Sequence, residues 1–251
     1  MKFFIAVALA VLAFNIQASA QDNPPLEGQD LGVYVLTRYY RAQGGDALMK
    51  GIMSSRLIGE ISFADGSGSF PFRFFKRRPD LMRFEFGLSV EETWVTAVTE
   101  EVVWKGVRHG GDWLNTEIIS DPTQRLHLSL EAEFDNPLWT LREQRRTAAI
   151  SVDPANPRIY LATVTPRDTH AEDIRIEMKI DARDFLERER KLTLPDGSVI
   201  VVKYGDYQQI DGLPVPFKTE TLVDGKPVST VELTEAALNI GTLKVFFDLP
   251  K

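Results

Sequence analysis

The sequence predicts a mainly β protein: a curved antiparallel sheet of about ten strands with two or three short helices. Three observations carry that prediction. Residues 70–88, FPFRFFKRRPDLMRFEFGL, place Phe70, Phe72 and Phe74 at period two before a Lys-Arg-Arg-Pro-Asp corner. Met82, Phe84, Phe86 and Leu88 repeat the pattern after it, while Arg73, Arg83 and Glu85 fall on the other, wet face. Further on, Ile174, Ile176, Met178 and Ile180 alternate with Arg175, Glu177 and Lys179. Lastly, Asp196-Gly197, Asp211-Gly212 and Asp224-Gly225 punctuate the C-terminal part, and Asp-Gly between apolar runs is a strong hairpin signal. A sheet of that size tends to curl rather than stay flat.

The elements follow in order. Residues 1–20 read as a secretory signal peptide: Lys2, then an apolar run over 3–14, then Ala18-Ser19-Ala20 as a small-x-small cleavage pattern. That run is well short of the roughly 20 residues that span a bilayer. Residues 21–251 therefore form the mature chain, read as one domain, and 21–28 is a polar lead. Asp30 caps a helix to about Ala42 with Leu31, Tyr34, Val35, Arg38 and Tyr39 on its face, and Gly44-Gly45 ends it. Residues 46–51 make a second short helical turn. Strands then cover 54–64, the two arms of the Phe hairpin, 91–99 and 101–108, with Trp94 and Trp104 among their large side chains. Asp121-Pro122 opens a helix over 121–134, where Leu126, Leu130 and Phe134 recur every four residues; Leu126, Leu128 and Leu130 fit a strand as well. Strands 147–152 and 158–165 and the C-terminal hairpins complete the sheet.

Composition narrows the function. The chain has no cysteine, which excludes disulfides, thiolate catalysis, Cys-based zinc sites and a lipid-modified N-terminal cysteine. Its net charge of −7 argues against nucleic acid, because phosphate backbones need a basic face. The basic run Lys76-Arg77-Arg78 is short and sits at a corner, where such runs are usually solvated. His109, His127 and His170 are scattered without metal-ligand spacing, and no Gly-rich phosphate loop, GxSxG elbow or paired acid–base constellation stands out. The residues thus point to no catalytic site, no metal and no cofactor. What remains is an aromatic face wide enough to need a cover, which is either a second layer of protein or an apolar ligand.

A set of segments in order carries a resemblance. They are Tyr40–Leu48 with its Gln-Gly-Gly-Asp-Ala-Leu, Gly59-Glu-Ile-Ser-Phe63, the Lys-Arg-Arg-Pro-Asp-Leu-Met-Arg-Phe-Glu-Phe run, and Val102-Val-Trp104. Glu133-Phe-Asp-Asn-Pro-Leu138, the stretch 204–217 and Phe247-Asp-Leu-Pro250 follow. Together they resemble the LolA-like periplasmic outer-membrane lipoprotein-sorting proteins. The resemblance implies an unclosed β-barrel with helices as a lid over an apolar cavity and no enzyme activity. It also implies a periplasmic location, with lipoprotein acyl chains as cargo taken from an inner-membrane donor to an outer-membrane acceptor. In those carriers the arginine before the proline holds the lid. The matching residue here is Arg78, with Arg77 as the alternative.

On this reading Phe70, Phe72, Phe74, Met82, Phe84, Phe86, Leu88, Trp94 and Trp104 line a cavity for the acyl chains of lipoproteins or another lipid. Arg78, Leu126, Leu130 and Phe134 contact the lid. The protein is a monomeric carrier. The rival from another class is a non-transporting envelope sensor or interaction module with the same fold, which would have a filled core and a partner surface. A hydrolase of envelope lipids has no nucleophile signature behind it.

Overall fold

The computed structural model describes residues 28–87, 91–141, 145–166 and 174–250. The signal segment, Leu88 and His170 lie outside the described residues. In chain order the elements are α1 (Gly28–Ala42), α2 (Gly45–Gly51), β1 (Ser54–Phe63), β2 (Gly68–Arg77), β3 (Leu81–Gly87), β4 (Glu92–Val98), β5 (Val103–His109), β6 (Asp112–Ile118) and α3 (Pro122–Ala132). Then come β7 (Arg146–Asp153), β8 (Asn156–Pro166), β9 (Arg175–Asp181), β10 (Glu187–Thr193), β11 (Val199–Ile210), β12 (Leu213–Val223) and β13 (Lys226–Leu238). The protein is mainly β, as expected. The thirteen described strands exceed the ten or so anticipated, partly because the loop after His109 is a tight turn into β6. The order is β6-β5-β4-β3-β2-β1-β13-β12-β11-β10-β9-β8-β7, all antiparallel, and it does not close on itself. No described helix is long and apolar enough to cross a membrane.

The residues pack as two compact units. The first comprises Ile52–Phe134 and the chain from Val228 onward. Its register pairs Phe72 with Phe86 and Phe74 with Phe84, so the phenylalanines share one face, as their period of two requires. Gly59 sits at a bulge where β1 pairs β13. A Cβ there would lie 2.1 Å from the Glu232 carbonyl oxygen, so only glycine fits. α3 lies over β3, β4 and β5.

The opposite face of this unit corrects an expectation. Arg83 and Glu85 are buried, 5% and 4% exposed, rather than wet. The C-terminal segment straps across them. Arg83 Nη1 donates to the Phe246 carbonyl at 2.8 Å, its guanidinium stacks 4.5 Å over the Phe246 ring, and its Nε meets Glu85 at 2.7 Å. Each charge is thereby paired and hydrogen-bonded, which is the condition for burying it.

The second unit holds α1, α2 and β7–β12. α1 buries Leu31, Val35, Tyr39 and Ala42 and packs on β7. The Tyr40 hydroxyl donates to the Leu138 carbonyl at 2.7 Å, which ties together two of the segments that carried the resemblance. Asp211-Gly212 and Asp224-Gly225 both have two positive φ angles, 50° with 86° and 49° with 75°, the form that two-residue hairpin turns require.

Candidate functional site

The aromatic face of the first unit and the underside of α3 enclose a cavity of about 110 Å³. Its floor is Phe74, Met82, Phe84 and Phe86, and its roof is Gln124 and Leu128. Trp94, 37% exposed, stands at the rim and stacks on Phe86 at 6.4 Å between ring centroids. Thr96 and Lys105 add a polar margin, and Lys105 pairs with Glu117 at 3.4 Å. Phe72 is buried beside this floor, 5.6 Å from Phe84, and Phe70 is half-buried against Phe63 and Phe86.

Trp104 does not belong to this group. It pairs with Ala97 and faces the other side of the sheet, where its Nε1 donates to the Phe247 carbonyl at 2.9 Å. Both faces of β5 are apolar, so apolarity alone does not assign Trp104 to the aromatic face; the parity of Val103, Lys105 and Val107 does.

α3 is a true helix, and its cap decides the earlier ambiguity. Asp121 Oδ1 accepts from the Gln124 N–H at 2.7 Å, with Pro122 at the first helical position. Its buried stripe is His127, Leu128 and Ala132, one position round from the expected Leu126 and Leu130, which are half-buried. Burial pushes His127 down to about 4, and its Nε2 has no hydrogen-bond partner. Glu131 Oε1 stands 3.8 Å from that nitrogen, and burial is what lowers the imidazole.

The other end of α3 is clamped by the basic corner. Lys76 is in phase with Phe72 and Phe74, buried on the apolar face, and its ammonium donates to the Glu133 carbonyl at 2.8 Å. Asp80 Oδ1 accepts from the Phe134 N–H at 2.9 Å. Arg78 stacks its guanidinium 4.6 Å over the buried Phe134 ring and donates from Nε to the Ile52 carbonyl at 2.7 Å. The corner is thus a fastening rather than a solvated turn. The group that reaches the orphan carbonyls at the helix end is Lys76, while Arg78 holds the residue beyond it.

No family profile matches the chain, and neither does any curated protein sequence. Solved structures do match. A LolA superfamily protein from Nitrosomonas europaea superposes with a TM-score of 0.55 at 10% identity, covering 79% of this chain and 90% of that one. The fold is LolA-like. A DUF1329 family protein from Desulfovibrio piger superposes at 0.59 with 9% identity, covering 87% of this chain and 96% of that one. Both matches cover most of this chain and show its fold.

Proposed function

We propose that this protein is a periplasmic lipid carrier, exported by cleavage after Ala20, that holds acyl chains of lipoproteins or of another lipid between its aromatic face and α3. The carrying observation is the pairing of a continuous phenylalanine floor with a cover that is fastened mainly at its ends. Only His127, Leu128 and Ala132 of α3 are buried. Burying a leucine side chain stabilises by about 1.5–3 kcal/mol, and a hydrogen bond to a charged group by a similar amount. Seating α3 is therefore worth a few kcal/mol. Burying a long acyl chain yields about 0.8 kcal/mol per methylene, on the order of 10 kcal/mol gross. The cargo outweighs the cover, and association costs leave a net that still permits release. At about 110 Å³ the closed cavity is below the roughly 300–1,000 Å³ of ligand pockets, so loading requires α3 to swing away.

The small cavity is also the observation that favours the second reading, a non-transporting sensor or interaction module with a filled core. A fluorescent long-chain fatty acid separates the two. The carrier reading expects saturable uptake, abolished by Phe84→Glu while far-UV circular dichroism stays native. No uptake by the wild-type protein would select the interaction module.

A further inference from the structure

A second pocket, of about 280 Å³, lies wholly within the second unit. It is formed by the C-terminal end of α1, the Gly44-Gly45 corner and the turn between β9 and β10. Its walls carry three arginines, Arg38, Arg41 and Arg183, and one acid, Asp184. The acids around it are already taken. Asp184 pairs with Arg188, Asp181 accepts from Arg183 at 3.1 and 2.8 Å, and Asp46 pairs with Lys50 at 2.7 Å. Among the described residues neither Arg38 nor Arg41 has a carboxylate partner; Arg38 only stacks on Tyr34 at 5.5 Å. Two guanidinium groups three residues apart on α1 thus face the pocket without a carboxylate partner among the described residues.

The remaining wall is aromatic. Phe185 holds φ at 57°, a left-handed conformation that is strained for a bulky residue. Its ring is gripped by Tyr34, edge-on at 5.9 Å, and by Tyr160, stacked at 6.0 Å. The same Tyr34 ring carries Arg38, so one aromatic group fixes both the apolar wall and one cation.

We infer that this pocket binds a phosphoryl group, with Arg38 and Arg41 as its forked donors and Phe185 beside the carbon skeleton that bears it. Guanidinium groups match phosphate oxygens in bidentate geometry. At about 280 Å³ there is room for a phosphodiester with its glycerol, such as the headgroup of an anionic phospholipid, as well as for a free oxyanion. The site does not rest on the acyl-chain reading of the first unit.

Calorimetric titration of the full mature chain at low salt tests it, with dihexanoyl phosphatidylglycerol and inorganic phosphate as separate probes. The expected result is one-site saturation, weakened about tenfold or more in Arg38→Gln/Arg41→Gln. The pair Arg38→Lys/Arg41→Lys keeps the charge and should retain part of the binding. Tighter binding of the phospholipid identifies a headgroup, and equal binding identifies a free oxyanion; both sustain the site. Absence of saturation with both probes overturns it. So does an equal loss in Lys203→Gln/Lys226→Gln, which removes the same charge from exposed positions elsewhere.

Discussion

Replacing Lys76 by leucine removes the ammonium that fastens the C-terminal end of α3. Its Nζ lies 2.8 Å from the Glu133 carbonyl, and the side chain is 4% exposed. The substitution keeps an apolar stem on an apolar face, so packing changes little. The loss is a hydrogen bond from a charged group, about 1.5–3 kcal/mol, together with a favourable cation at a helix C-terminus, about 0.3–1 kcal/mol. Leucine gains some burial in return, so the net cost is on the order of 2 kcal/mol. In a chain of this size that lowers the melting midpoint by roughly 4–8 °C. The effect should also be local. Hydrogen exchange of the α3 amides should rise by about tenfold or more, while β2 and β3 keep their protection, because a cover held at its ends opens without the sheet. Acyl-probe uptake should become faster. Unchanged α3 exchange, or an equal rise across β2, β3 and α3, would refute the reasoning.

Three further outcomes are expected. Arg78→Leu loses the Nε bond to Ile52 and the stack on Phe134, so α3 exchange and cargo transfer to acceptor membranes should change; Arg77→Leu should stay within about 0.5 kcal/mol of wild type by chemical denaturation. His127 titrates near 6.5 unfolded but about 4 folded, so the unfolded chain binds the extra proton; stability should be complete above pH 6.5 and fall by on the order of 3 kcal/mol as pH drops towards 4, and His127→Phe should abolish that decline in pH-dependent melts. Gly59→Ala forces a Cβ to 2.1 Å from the Glu232 oxygen and 2.8 Å from the Leu233 Cα, so it should cost about 1–3 kcal/mol by denaturation without altering the α3 fastening.

Period-two alternation was enough to place Phe72, Phe74, Met82, Phe84 and Phe86 on one face, because cross-strand pairing preserves parity. The Asp-Gly turns were equally legible, since both residues must take positive φ. The buried Arg83–Glu85 pair was not, because its cover is Phe246 and Phe247, far along the chain, and alternation alone equates polar with wet. The most buried stripe of α3 is not legible from leucine spacing, because it includes His127, a polar residue that is buried, while Leu126 and Leu130 are half-buried. Lys76 carries a signal of its own: a lysine in phase with three phenylalanines on an apolar face needs an acceptor, and the Glu133 carbonyl is that acceptor. The arginine pocket had no sequence signal, since α1 and the β9–β10 turn meet only in the folded chain.

Crosslinking with a photoactivatable long-chain fatty acid, mapped by mass spectrometry on the gently purified protein, tests the central claim most directly. The account predicts adducts on Phe84, Phe86, Trp94 and Leu128, the floor, rim and roof of the cavity, and their loss in Phe84→Glu. Adducts confined to the outer strap around Phe246, or scattered without saturation, would contradict a lipid site beneath α3.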